Sequence, residues 1–286
     1  MKKVLVIGSN GLLGASLVKA LKPLFELITV TRKSPNSDYN VDMAHSTETA
    51  CLLSRVKPDF IINLAALTNV DLCEADFNLA YRINSKIVEN IARYSNDQKD
   101  VFVVHVSTDH IYDGENSSED DVVICNAYAM TKYCGEKSFK ADNAVVLRTN
   151  FFGKSLSQSS EGLCNSIYNR AVTGQQLKLF NDVYFSPVSI NTLCDVVLLC
   201  LEKKIAGVFN VGSKEGMSKE RFLKKFLEFS GLKNVEYLSI SADDTGFKTP
   251  RPKDMRMDVS LFEKMFEYKL PQLIDEIPGV ANEFKK

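Results

Sequence analysis

Residues 3–7 (KVLVI) carry an almost unbroken apolar, largely β-branched run, the pattern of a strand buried on both faces. A glycine-rich turn ends it, and LLGASLVKAL follows with apolar spacing that suits a helix. The same alternation continues, with strands near 26–31, 59–64, 101–107 and 144–149 and helices near 47–55, 76–95 and 127–140. Alternating elements of this kind predict an α/β fold, a Rossmann-type doubly wound, mostly parallel sheet covered on both faces by helices.

Beyond Arg148 the regularity weakens. Residues 150–190 are rich in Ser, Asn, Gln and Gly, with one helix expected near 161–172. A helix near 191–203 and a strand at 207–211 (GVFNV) suit a return to the sheet. After them 218–229 reads as an amphipathic helix and 241–254 as a polar loop punctuated by proline. The expected organisation is a dinucleotide-binding domain over 1–150, rejoined by 191–211, and a smaller C-terminal substrate-binding lobe from 151–190 and 212–286.

Composition narrows the function. At 286 residues and 45% hydrophobic, the chain can bury a large core with a smaller lobe beside it, which excludes a disordered or fibrous protein. Lys and Arg total 35 against 36 Asp and Glu, so no strong field draws it to nucleic acid or an anionic membrane, and a small-molecule partner is expected. The seven cysteines are odd in number and scattered, without metal-ligand spacing; they read as reduced thiols, and no metal is expected. The apolar run before Gly8 is too short for a signal-peptide core or a membrane span, which makes a cytoplasmic address the expectation.

Three stretches carry chemistry. Gly8, Gly11 and Gly14 in IGSNGLLG stand between a strand and a helix, where backbone N–H groups and the helix N-terminus can face a pyrophosphate. The expected contacts of this turn are Gly8, Asn10, Gly11, Leu12, Leu13 and Gly14. At the end of the second strand, TVTRKS has no acid to hold ribose hydroxyls. Arg32 and Lys33 can instead meet a 2′-phosphate, or they are a solvated basic pair. Tyr128 and Lys132 lie four apart at the start of a predicted helix, on one face, where an ammonium can favour the phenolate and hold ribose. Upstream, VVHVSTDHIYDG places Ser107, Thr108 and Asp109 at the carboxyl edge of the sheet, where ligands of open α/β sheets bind. A hydroxyl there can bond the substrate oxygen that gains charge.

These residues resemble the extended short-chain dehydrogenases and, within them, the dTDP-4-dehydrorhamnose reductase group. The likeness spans nearly the whole chain. It includes NLAALTNVDLCE (63–74) and, more specifically, STDHIYDG (107–114), LRTNFFG (147–153) and RPKDMRMD (251–258). The resemblance implies a catalytic set of Thr108, Tyr128 and Lys132. It also implies cofactor contacts from Asp42 and Met43 near the adenine, from Ala65 and Ala66 along the dinucleotide, and from Ser107. Substrate contacts are expected from Thr68, Thr108, Asp109, Phe151 and Arg251. For Arg251 the expected contact is the substrate diphosphate, which guanidinium forks suit, and the alternative is a surface loop arginine; for Phe151 the alternative to a sugar contact is core packing. The group often has Trp in the segment matching 151–152, whereas this chain has no Trp; Ile7 stands where Thr usually precedes the first glycine.

The implied activity is reduction of a nucleotide-linked 4-keto-6-deoxysugar, serving deoxysugar and polysaccharide biosynthesis. NADP(H) is the preferred cofactor, with NAD(H) also open. Tyr128 would protonate the oxygen, Lys132 would tune Tyr128 and hold the ribose, and Thr108 would orient the carbonyl. Two rivals stand beside it: an epimerase or dehydratase of the same superfamily, and a non-catalytic NADP-binding regulatory subunit, since the beta subunit of methionine adenosyltransferase also resembles this group. The oligomeric state, a homodimer included, is open.

Overall fold

The strand β1 (Lys3–Ile7) shows why the sheet forms: Val4 and Val6 enter one core and Leu5 and Ile7 another, all four nearly inaccessible. A strand apolar on both faces is stable only between two helical layers. The computed structural model describes residues 1–98, 100–140, 142–158 and 160–285. In it β1 joins β2 (Glu26–Thr31), β3 (Tyr39–Asn40), β4 (Phe60–Asn63), β5 (Phe102–Val106) and β6 (Ala144–Thr149) in one sheet. The seventh strand is β11 (Gly207–Val211), and the order is β11-β6-β5-β4-β1-β2-β3 with every neighbouring pair parallel. The order reverses beside β1, so the crevice between the carboxyl ends of β1 and β4 is the switch point where such sheets take ligands.

One face is covered by α1 (Leu12–Leu21) and, from far along the chain, α8 (Ile190–Lys203); the other by α2 (Ser46–Val56) and α5 (Ile87–Asp97). The single helix expected over 76–95 is three pieces. After α3 (Val70–Ala75), the Asp76 side chain caps α4 (Phe77–Tyr81), and a π-helical turn at Arg82–Lys86 leads into α5. That turn presents the Asn84 amide to the loop after β4 and to α6 (Ala127–Glu136). The helix expected over 127–140 therefore stops at Glu136.

The later chain is more regular than its composition suggests. It contains β7 (Phe151–Phe152), α7 (Gly162–Val172), β8 (Leu177–Phe180), β9 (Tyr184–Phe185) and β10 (Val188–Ser189). After β11 come β12 (Met217–Ser218), α9 (Lys219–Phe229), β13 (Tyr237–Ile240) and β14 (Asp254–Met255), the last following a 3-10 turn at Ala242–Thr245. The helices α10 (Ser260–Phe266) and α11 (Leu273–Asn282) close the chain. A separate core gathers Phe152, Leu177, Phe185, Phe222, Phe226, Leu273 and Ile277. Phe262 and Phe266 of α10 instead pack edge-on against Phe209 of β11 and so belong to the sheet's core. Among the described residues no helix is long and apolar enough to cross a membrane.

Candidate active site

Two glycines shape the first turn by steric necessity. Gly8 has φ +82°, and a Cβ there would lie 2.9 Å from the Ala65 nitrogen; at Gly14 it would lie 2.4 Å from the Gly8 carbonyl oxygen. The turn thus packs against both the loop after β4 and its own helix. Gly11 caps α1 with no side-chain hydrogen bond and no acid in the first turn, leaving the positive helix end open to an anion. In front of it lies a cleft of about 820 Å³, walled by Gly8, Asn10, Gly11, Arg32, Lys33, Asp42, Met43, Ala65 and Ala66. Leu12, Leu13 and Gly14 are absent from that wall: the Leu13 side chain is in the core, and Leu12 rests against Gly162. Any contact from them is made by backbone.

At the rim, Arg32 and Lys33 are exposed, and no ion pair or hydrogen bond engages their side chains among the described residues. The loop carrying them is held by others, with Thr31 bonded to Ser37 and Asn40 and accepting from the Ser34 amide. Asp42 pairs with Arg82 at 2.5 Å and caps the Ala44 amide, so its carboxylate is already engaged. One wall was not legible in the sequence. Leu156, Ser157 and Gln158 fold over the glycine turn, the Ser157 hydroxyl donating to the Asn10 carbonyl at 2.6 Å.

Next along the sheet edge, after β5, lie Thr108, Tyr128 and Lys132, all buried. Asn126 caps α6, accepting from the Ala129 amide and donating to the Pro250 carbonyl, which sets the height of Tyr128 against the loop that carries Arg251. The Thr108 hydroxyl donates weakly to Asp109 and accepts from the His110 amide. Burial pushes that phenol well above its ordinary value of 10, Thr108 opposing and the Asp109 charge adding to the rise. Lys132 is brought to about 8, burial lowering it and Glu136 holding it up. Its ammonium donates to the Val106 carbonyl at 2.8 Å. The ammonium that was expected to lower the tyrosine is thus bonded to the carbonyl at the end of β5.

Ser107 needs a correction. Its hydroxyl donates to Glu136, a carboxylate already forked by Arg148, and so serves a buried ion pair rather than the cleft. Asp109 accepts from Asn150 at 2.8 Å and, weakly, from Thr108. Phe151 is partly buried against the sheet's core, and Thr68 is exposed just before the cap of α3. Arg251 lies 4.2 Å over the Phe247 ring and pairs with Asp71 at 2.7 Å. Asn63, which opens the NLAALTNVDLCE stretch but was given no role there, has its amide buried between His105 and the Ala65 nitrogen, where it fixes the loop along the cleft.

Burial raises the Asp109 carboxyl from its ordinary 3.8 to about 6. Well below pH 3.8 it is protonated whether the chain is folded or not, and between about pH 3.8 and 6 mainly the unfolded chain ionises. As pH rises through about 6, the fold must hold a desolvated carboxylate and loses stability. Asp109→Asn should abolish that loss, worth about 3 kcal/mol at roughly 1.4 kcal/mol per unit. Urea unfolding at pH 4 and pH 8 measures it; a pH dependence equal in the two proteins would contradict this account.

Residues 1–286 match the family described as RmlD substrate binding domain. Among curated relatives, the spore coat polysaccharide biosynthesis protein SpsK of Bacillus subtilis is 29% identical over 259 residues, covering 88% of this chain and 87% of that protein. A dTDP-4-dehydrorhamnose reductase of Escherichia coli K12 is 26% identical over 296 residues, covering 98% and 97%. Of solved structures, the dTDP-4-dehydrorhamnose reductase ortholog of Clostridium acetobutylicum superposes with a TM-score of 0.88 at 26% identity, over 98% of this chain and 99% of that one. The Bacillus anthracis dTDP-4-dehydrorhamnose reductase, in complex with NADP, shares the fold with a TM-score of 0.89 at 24% identity, over 99% and 100%. With a match that runs from the first residue to the last, this chain belongs to the RmlD substrate binding domain family.

Proposed function

We propose that the protein reduces the keto group of a nucleotide-linked 4-keto-6-deoxysugar with NADPH, in the cytoplasm, for the synthesis of a deoxysugar-containing polysaccharide. One observation carries the reading: Thr108, Tyr128 and Lys132 converge at the carboxyl edge of the sheet beside a glycine-turn cleft with an open helix end. The names of the relatives, reductases of dTDP-4-dehydrorhamnose, support it. We assign the substrate to a lobe built from 151–190 and 212–286, with part of the latter returning to the sheet core.

The cleft fits a dinucleotide. The N–H groups of the α1 N-terminus would hold the pyrophosphate, and Ala65, Ala66 and Met43 line the cleft that would take the rest of the dinucleotide. When bound, NADPH supplies the hydride. The chain supplies placement and the proton. Tyr128, kept protonated by burial, donates from its hydroxyl to the carbonyl oxygen as charge develops there. Thr108 would give the same oxygen a hydrogen bond, and Lys132 would hold the ribose. Incubation with NADPH and dTDP-, UDP-, GDP- and CDP-linked 4-keto-sugars, with mass spectrometry of the products, tests the proposal. A gain of two mass units identifies a reductase, an isomer of unchanged mass an epimerase, and no product from any of them defeats the reading.

Cofactor choice follows from the free cations at the rim. Charge-assisted hydrogen bonds from Arg32 and Lys33 to a 2′-phosphate are worth roughly 1.5–3 kcal/mol, enough for tenfold preference or more. NADPH should therefore bind at least about tenfold more tightly than NADH, and Arg32→Ala should erase most of the difference. Fluorescence titration of both dinucleotides decides it, and equal affinities in the wild type would refute it.

A further inference from the structure

Beyond the glycine cleft, hydrogen-bond donors without acceptors gather where the second core meets the end of β5. Lys219, the first residue of α9, anchors its backbone on the Val183 carbonyl and sends its side chain past Phe185, the ammonium 5.8 Å from the ring centre. No carboxylate stands within 4 Å of that ammonium among the described residues. Burial lowers its pKa, the Asp109 charge opposes this, and the Arg251 charge adds to it. His110 stands edge-on to the Tyr128 ring with centroids 5.4 Å apart, and its buried Nδ1 has no partner among the described residues. The charges of Lys219 and Arg251 both act on it. Arg251 spends one Nη on Asp71, but its buried Nε also has no partner.

His110 lies against the Tyr128 ring, the Asn126 cap ties the Arg251 loop to the same helix, and β9, where Lys219 passes Phe185, pairs with β14 just after Arg251, so three segments carry polar nitrogen into the neighbourhood of Tyr128. Two of the groups are cations that repel each other, and each desolvated N–H without an acceptor costs free energy. Asp109 does not satisfy them, being engaged by Asn150 and Thr108. An acceptor with several oxygens and its own negative charge would relieve the repulsion and the missing bonds together. A phosphate suits a lysine point charge, an arginine Nε and a neutral imidazole at once.

We propose that Lys219, with His110 and Arg251, forms the seat for the substrate phosphate nearest the sugar, and that Lys219 is a specificity-determining contact. The proposal rests on the reductase reading only in expecting a sugar nucleotide there. It is tested with NADP⁺ saturating the glycine cleft, by calorimetric titration of dTDP, UDP, GDP, CDP and inorganic pyrophosphate. Lys219→Met should weaken the best diphosphate and pyrophosphate by about ten- to a hundredfold. Lys219→Arg should restore affinity to within a few fold, and NADP⁺ affinity should change less than twofold. Unchanged diphosphate affinity in Lys219→Met, or a wild type that binds none of the probes, overturns the seat. Should Lys219→Met lose NADP⁺ binding and with it the fold, the salt dependence of wild-type pyrophosphate binding is read instead. A steep fall with salt supports two cations, and a flat response overturns them. Protein that holds pyrophosphate through Lys219 yet reduces no keto-sugar keeps the seat and loses the reductase reading. Turnover with KM unchanged in Lys219→Met does the reverse.

Discussion

Tyr128→Phe is expected to lower turnover of the keto-sugar nucleotide by about a hundred- to ten-thousand-fold, while NADPH affinity and thermal midpoint stay near those of the wild type. The phenol makes no hydrogen bond on which the fold depends; its neighbours are Thr108 and the edge of His110. Phe keeps the ring and removes only the proton donor. Lys132→Met should do comparable damage by another route. In the structure its ammonium bonds the Val106 carbonyl at the end of β5, and in the proposed mechanism it holds ribose, so NADPH binding should weaken as well. The two losses are not expected to add, because the residues act as a unit. Single-turnover rates with saturating NADPH separate the steps. Near-normal turnover by Tyr128→Phe would end this mechanism. If no substrate is reduced, but a partner enzyme responds to the protein equally with and without the hydroxyl, a regulatory subunit takes its place.

How much of this could be read from the chain depended on whether a signal was local. The strand, turn and helix at 3–21 were legible because both faces of β1 are buried and Gly14 is fixed by contacts within the turn itself. So was the four-residue spacing of Tyr128 and Lys132. What Lys132 bonds was not, since the carbonyl it finds belongs to Val106, 26 positions away. The helix over 76–95 was misjudged because periodicity does not register a π turn, and Asn84 inside it reaches Leu67 and Thr131. The second core drew on strands of two to four residues, too short to show any period, paired across dozens of positions, as β8 is with β13. STDHIYDG, LRTNFFG and RPKDMRMD stood out as motifs, but their common cause appears only in three dimensions. Tyr112, Arg148 and the main chain at Asp258 meet at Asn210, directly or through one another.

That junction carries the largest stability effect expected. Arg148 and Glu136 have side chains 2% and 1% exposed, and the guanidinium forks the carboxylate with its closest bond at 2.8 Å. Its remaining nitrogen bonds the Tyr112 hydroxyl and the Glu119 carbonyl. Asn210 takes the Tyr112 hydroxyl and bonds the Ser117 and Asp258 carbonyls. Burying two charges costs more than either bond returns unless all partners are present, so the loss is severe when one is removed. Arg148→Met strands Glu136 with only Ser107 as donor. It should destabilise the protein by about 3–5 kcal/mol, on the order of 10 °C in midpoint for a chain of this length. Adding Glu136→Leu should recover part of that, because no unpaired charge remains. The recovery stays incomplete, since Ser107 and Tyr112 still lack a partner each. Ser107 adjoins Thr108 and Arg148 lies two residues before Asn150, so turnover should fall in Arg148→Met well below its unfolding temperature. Thermal and urea unfolding of the two single variants and the double variant measure the coupling. If the double variant is less stable than Arg148→Met by the full cost of Glu136→Leu, the pair is not coupled and the three motifs are held together by something else.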